Sequence, residues 1–290
     1  IMNIEFSGDG KKTVQPFELK KRNPKPGALG FNTSDVLYLI TPDRFANGDP
    51  SNDNLEGAVV ARERAGGRHG GDLRGVTNHL DYIQDLGFST IWLNPVQKNG
   101  PRSYHGYAIN DFYQVDPRYG TMDEYIEMID KTHDRGMKVV MDMIFNHCGS
   151  DHWWMKDIPT SDWCNFNNTY VPTSHNKWSV VDVHASASEK KSFTDGWFTK
   201  GMPDLNQKNK HLATYLIQNS IWWIENTRID GIRQDTHPYA DFNFMARWCK
   251  EVTDEYPDFN IVGETWYPSG TGFMAWWQHD SKLNNSNSYL

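Results

Sequence analysis

The 290-residue chain predicts an α/β fold built on a parallel sheet, and three observations carry that expectation. Short apolar runs, long enough to be strands buried on both faces, recur from residue 36 onward. Stretches with helical spacing of apolar residues separate them, and two of these stop at a glycine. Polar residues gather just past the carboxyl ends of the runs, where barrels of parallel strands build their active sites.

Taken in order, residues 3–21 alternate weakly around Gly8-Asp-Gly10 and read as a hairpin with its turn at Asp9-Gly10. A lone hairpin is marginal, so residues 1–30 are expected to be the tail of an upstream β-domain followed by a linker at Pro24-Lys-Pro-Gly27. Val36–Ile40 is the first buried strand, and a helix is expected over 77–86, ending at Gly87. Phe88–Pro95 is the second strand, and 121–135 a helix closed by Gly136. Lys138–Phe145 is the third strand, and residues 31–146 form the first part of the sheet domain. Residues 147–210 break the rhythm with a long segment rich in Asn, Asp, Trp, Ser and Pro, too long for an ordinary connection. Alternation resumes over 211–290, with helices at 211–227 and 241–255 and strands at Asp230–Asp235 and Asn260–Gly263. Strand and helix alternating in this way specify parallel pairing with helical crossovers.

Composition narrows the function classes. The net charge of −8 disfavours nucleic acid and anionic membranes as partners, and no apolar run approaches membrane-spanning length. Three scattered cysteines, Cys148, Cys164 and Cys249, make neither a disulfide framework nor a zinc site. Twelve Trp and thirteen Tyr can serve either core packing or stacking on sugar rings.

The chemistry concentrates in Asp230-Gly-Ile-Arg-Gln-Asp235 and Asn260-Ile-Val-Gly-Glu-Thr-Trp266. Arg233 and Asp235 leave the same face of an extended chain, so the guanidinium is expected to keep the carboxylate ionised. Glu264 follows an apolar strand one unit later, with Trp266 as a source of desolvation. An ionised Asp beside a protonated Glu makes a nucleophile and general acid, although either pair alone could equally be structural. Asp142, Asn146 and His147 at the third strand, and Tyr107 after the second, add polar groups at successive strand ends.

Those motifs, Asp142-Met-Ile-Phe-Asn-His147, Met202-Pro-Asp-Leu-Asn206, Gly231-Ile-Arg-Gln-Asp235 and Gly263-Glu-Thr-Trp266, with Tyr104-His-Gly-Tyr107, resemble the α-amylase superfamily of retaining glycoside hydrolases. Within it the chain is similar to the neopullulanase and cyclomaltodextrinase branch. The resemblance implies a (β/α)8 TIM barrel of which about five strand–helix units are present, with 147–210 as the inserted domain B. It implies Asp235 as nucleophile, Glu264 as acid and base, and Arg233, His147 and Tyr107 as groups that hold the reacting ring, with Asp142 and Asn146 behind them. The family's third catalytic Asp is expected beyond Leu290; His279-Asp280 follows Glu264 too closely to be it. Where many relatives carry a Lys-His pair after the nucleophile, this chain has Thr236-His-Pro-Tyr239, so stacking on Tyr239 is the expected substitute.

Asn47, Asp49, Asn52 and Asp53 crowd around Gly48, a pattern that suits either an Asx-rich turn or a calcium site. The resemblance favours structural Ca2+, with Gly70 and Asp72 completing the shell and Asn146 with Asp204 a weaker second candidate. The implied activity is hydrolysis of α-1,4 links, with α-1,6 links open, in maltooligosaccharides, cyclodextrins or pullulan. Transglycosylation or isomerisation on the same scaffold, and non-catalytic starch binding, are the alternatives. A homodimer and a periplasmic or secreted setting rest on the resemblance alone.

Overall fold

The structure is a computed structural model that describes residues 1–22, 25, 27–101, 103–265 and 288–289. Strands β1 (Met2–Gly8) and β2 (Lys11–Phe17) form an antiparallel hairpin running from Met2 opposite Phe17 to Gly8 opposite Lys11. Its turn places Asp9 at φ 48° and Gly10 at φ 73°, the two positive dihedrals that a tight two-residue hairpin turn requires. Every residue of the hairpin is exposed, including Met2, Ile4, Phe6 and Phe17.

Six strands form one parallel sheet: β3 (Leu37–Ile40), β4 (Thr90–Leu93), β7 (Lys138–Ile144), β8 (Gly231–Asp235), β9 (Asn260–Gly263) and β10 (Ser288–Tyr289). Each is paired with its neighbour in chain order, the arrangement of a barrel wall rather than a doubly wound sheet. The fifth strand is therefore not the last, because Ser288 and Tyr289 add a sixth beside Ile261 and Val262. At the opposite edge Leu39 of β3 is 49% exposed.

Between β4 and β7 lies a hairpin that hydropathy did not reveal, β5 (Gln97–Asn99) with β6 (Ile109–Val115). Its register shifts on both sides of Lys98, and its alternation is hidden by Asn110, Asp111 and Gln114. The helix expected over 77–86 starts earlier and is broken: α1 (Leu73–Asn78) and α2 (Leu80–Asp85) meet at His79. The cause is local. Asp72 caps α1 by accepting from Gly75 N at 2.6 Å, and His79 Nδ1 binds Gly75 O at 2.7 Å.

The other helices follow the periodicity. α3 (Met122–His133) opens on a reciprocal capping box between Thr121 and Glu124. α4 (Lys210–Thr227) buries Leu212, Leu216, Ile217, Trp223 and Ile224, and Asn219 and Trp223 both donate to Phe112 O at 2.8 Å. α5 (Phe242–Glu255), capped by Asp241, seats Trp248 against Phe145. The excursion from β7 to α4 buries Trp154, Trp163, Phe193 and Trp197, with Trp154 packed on Phe112 and Tyr215 of the main core, and is tied to the segment just past β7 by pairing of His147 with Asp204. Cys148, Cys164 and Cys249 are all buried. No helix among the described residues is long and apolar enough to cross a membrane.

Candidate active site

Parallel register brings the site together. Arg233 of β8 lies opposite Asp142 of β7 on one side and Val262 of β9 on the other. Two residues past Val262 the chain reaches Glu264, on the same face as Arg233 and Asp235. The Arg233 guanidinium therefore meets three carboxylates. Its Nη1 donates to Asp142 Oδ1 at 2.8 Å and to Asp235 Oδ1 at 2.7 Å, and its Nη2 lies 3.0 Å from Glu264 Oε2. Trp92 of β4 and Tyr107 flank it, with the guanidinium carbon 5.2 and 5.8 Å from their ring centres.

Asp142 is fully buried and accepts from Tyr107 Oη at 2.9 Å and Trp92 Nε1 at 3.1 Å. Burial pushes its carboxyl up to about 6, against the pull of Arg233. Burial and the Asp142 charge also push Asp235 well above the usual carboxylate range, and Arg233 only partly offsets them. Arg233 pulls Asp235 toward its ionised form, as the spacing predicts, and burial and Asp142 oppose that pull. One positive charge is divided among three acids, so the cluster takes up protons more readily than an isolated Arg–Asp pair.

Glu264 is not in an apolar niche either. Its Oε2 accepts from Thr236 N at 2.8 Å beside the Arg233 contact, and 27% of its side chain is exposed. Thr236 delivers that N–H from a left-handed conformation, φ 47° and ψ 35°. For a β-branched residue this is a strained geometry that costs about 1–3 kcal/mol. The same residue donates Oγ1 to Asp235 Oδ2 at 3.2 Å, so one strained turn orients both acids.

His147 is buried, and burial draws its imidazole down to about 4. The neutral ring holds the Tyr107 carbonyl through Nε2 at 3.0 Å, locking the third strand end to the loop that carries Tyr107. Asn146 donates to Asp204 Oδ2 at 2.9 Å, while Asn165 donates to Oδ1 at 2.7 Å. Burial raises the Asp204 carboxyl well above the usual range. Tyr239 is 7% exposed, with its ring between Phe193 at 4.3 Å and Phe198 at 4.7 Å. Side chains of the excursion occupy the face expected to stack on a sugar. Trp266, His279 and Asp280 lie outside the described residues. Trp92, Thr236, His175 and Lys177 join the site without having been singled out; only Trp92, at the end of a buried strand, carried a sequence signal.

The Asn- and Asp-rich loop folds around Asp72. Its carboxylate accepts from Gly48 N, Asp49 N, Asn52 Nδ2 and Gly75 N, so it serves as loop hub and helix cap. Asp49 caps the next turn through Ser51 N, and Asn47 donates to Asp53 Oδ1 at 2.7 Å. Among the described residues no three His, Cys, Asp or Glu side chains converge on a metal position. Calcium also takes amide and carbonyl oxygens, and here the loop does fit. Asn52 Oδ1 is buried with no partner, and a Cβ on Gly70 would stand 2.4 Å from Asp53 Oδ1.

A parallel sheet whose strand ends converge a shared Arg, two acids and aromatic rings defines a barrel-type hydrolase site. The chain belongs to the α-amylase family of glycoside hydrolases: the family model for the alpha-amylase catalytic domain matches residues 39–289. It is 34% identical over 259 residues to a cyclomaltodextrinase of Thermoanaerobacter pseudethanolicus, covering 87% of this chain and 43% of that one. It is 31% identical to neopullulanase 2 of Thermoactinomyces vulgaris, covering 86% and 41%. An α-amylase structure from Anoxybacillus superposes with a TM-score of 0.73 at 33% identity, covering 87% of this chain and 50% of that one. One from Geobacillus thermoleovorans, complexed with acarbose, gives 0.69 at 36%, covering 84% and 49%. The chain thus spans half or less of the length of these relatives.

Proposed function

We propose that the protein is a retaining α-glucan hydrolase that opens α-1,4 glucosidic links by double displacement. The observation that carries this is the single Arg233 guanidinium joining Asp235 and Glu264 through neighbouring nitrogens. Two acids held this closely suit the gap of about 5–5.5 Å used when one acid is the nucleophile, rather than the wider gap that admits a water between them. In the first step Glu264 gives its proton to the departing glycosidic oxygen while Asp235 Oδ attacks the anomeric carbon. In the second, water attacks that carbon, Glu264 takes its proton, and the bond to Asp235 breaks.

The rest of the site supports the same reading. Asp142 holds Tyr107 and Arg233, and His147 fixes the Tyr107 loop, so a sugar ring would meet a preset floor. The substrate class follows the relatives' names, which point to cyclomaltodextrins, pullulan and maltooligosaccharides; α-1,6 links remain a second target to assay. Structural calcium in the loop, held by Asn47, Asp49, Asn52, Asp53, Asp72 and the Gly70 carbonyl, belongs to this reading and takes no part in bond cleavage.

The test uses the full-length enzyme with Asp235→Asn and Glu264→Gln. Both variants are expected to fold and to lose hydrolysis of maltotriose and β-cyclodextrin. Turnover surviving Asp235→Asn in a folded protein would contradict the mechanism.

A further inference from the structure

Thr236 stands between the two acids, and each of its polar atoms is engaged. Its N–H donates to Glu264 Oε2 at 2.8 Å, its carbonyl accepts from Tyr239 N at 2.9 Å, and its hydroxyl donates to Asp235 Oδ2 at 3.2 Å. It does so at φ 47° and ψ 35°, at the head of the short helical turn His237–Tyr239. Glycine, Asn or Asp takes that left-handed conformation far more easily than a branched side chain does. Strain of this kind persists where the surroundings over-determine it, and it points to a use for the side chain.

The backbone on either side is fixed. Glu264 N donates to Gln234 O at 2.9 Å, which ties the end of β9 to β8, and Gln234 Nε2 donates to the Asp235 carbonyl at 3.2 Å. His237, next in the chain, is fully buried against Gly263. The Thr236 hydroxyl therefore reaches Asp235 from a set position.

The two oxygens of Asp235 are held unequally. Oδ1 accepts a charge-assisted bond from Arg233 Nη1 at 2.7 Å, and Oδ2 accepts the longer, neutral one from Thr236. The oxygen bound by the guanidinium is the costlier to free, so Oδ2 is the one that reaches the anomeric carbon. A hydroxyl proton swings about its C–O bond. Thr236 thus releases Oδ2 at little cost when the bond to carbon forms, and regains it when that bond breaks.

We propose that Thr236 is a catalytic residue of the second step, whose hydroxyl receives the charge returning to Asp235 Oδ2 as the glycosyl-enzyme is hydrolysed. This rests on the hydrolase reading above. The water oxygen bonds to the anomeric carbon, Glu264 takes the water proton, and the electron pair of the carbon–Oδ2 bond goes back to Oδ2. The Thr236 hydroxyl donates to that oxygen as its negative charge develops, while Arg233 holds Oδ1. In the first step the same hydrogen bond is given up, so losing it does not slow attack.

The experiment uses the full-length enzyme and α-maltosyl fluoride, whose leaving group departs readily and leaves the second step rate-limiting. Thr236→Val keeps the branched shape without the hydroxyl, Thr236→Ala loses both, and Thr236→Ser keeps the hydroxyl. In the first two variants kcat should fall about tenfold, the effect of losing one hydrogen bond that strengthens in the transition state. KM should fall with it, so that kcat/KM stays within about twofold of wild type, and fluoride should appear in a burst of roughly one per enzyme. Thr236→Ser should restore kcat. Thr236→Ala puts the smaller side chain at the strained position and carries the test where Thr236→Val melts too low to assay. Unchanged kcat in the hydroxyl-free variants overturns the proposal and leaves the hydrolase reading intact. So does a fall in kcat/KM without a burst, which places the loss in the first step or in folding. Wild-type enzyme that releases no fluoride, or that yields β-maltose, overturns the hydrolase reading and the proposal with it.

Discussion

Arg233 of β8 and Glu264, just past the end of β9, stand 3.0 Å apart from Nη2 to Oε2 while the same guanidinium holds Asp235 and Asp142. The site is thus a four-member charge cluster rather than a nucleophile with a private partner. Its geometry depends on a planar fork that reaches several acids at once. Arg233→Lys keeps the charge and loses the fork, so kcat should fall by about a hundredfold or more with little change in melting temperature. Steady-state kinetics beside a thermal melt would check this.

The pH profile should carry the mark of Asp142. Burial holds its carboxyl near 6, and its charge pushes Asp235 upward. Activity should therefore decline below about pH 6 as the buried acids take up a proton. Asp142→Asn removes a negative neighbour, so the Asp235 carboxyl should titrate lower and the acid limb of kcat/KM should shift to lower pH. The maximal rate should drop as well, because Tyr107 and Arg233 lose a shared acceptor. A limb that stays in place or moves up would show that Asp142 does not set it.

Gly263 is a packing constraint beneath the acid. A Cβ there would meet His237 Cγ and Nδ1 at 2.8 Å, and His237 is fully buried. Gly263→Ala should cost about 1–3 kcal/mol by forcing β9 away from its neighbour. Because Glu264 follows directly, activity should fall further than stability alone explains. Denaturant melts and kcat measured at low temperature separate the two effects.

The Asn-rich loop makes a separate prediction. If calcium is held there, chelation should lower the melting temperature of the full-length enzyme by several degrees, since a ligand at about 100 times its Kd adds about 2.7 kcal/mol. Asn52→Ala should remove that response to added calcium, leaving kcat at low temperature nearly unchanged. Equal melting temperatures with and without calcium would make the loop an Asx-rich turn only.

What was legible in the sequence was whatever repeats locally. The buried strands announced themselves by unbroken apolar runs such as Val139-Val-Met141, and their ends placed Asp142, Arg233, Asp235 and Glu264 on one side. Two-residue spacing was enough to put Arg233 and Asp235 on one face. Spacing could not show that Arg233 is shared across three strands, since that depends on parallel register. It also could not show that Tyr239 is covered by Phe193 and Phe198, which are about 40 residues away in an excursion without periodicity. The helix at 73–85 was missed at its start, where Gly75 interrupts the apolar spacing that marks a helix. The β5–β6 hairpin escaped because bulges and exposed polar residues blur its alternation.

The most direct measurement is to trap the covalent intermediate. Full-length enzyme is incubated with 5-fluoro-α-glucosyl fluoride, digested and sequenced by mass spectrometry. The account predicts one glycosylated peptide with the sugar on Asp235, and release of product in the α configuration. A label on Glu264, or no adduct together with a β product, would contradict it.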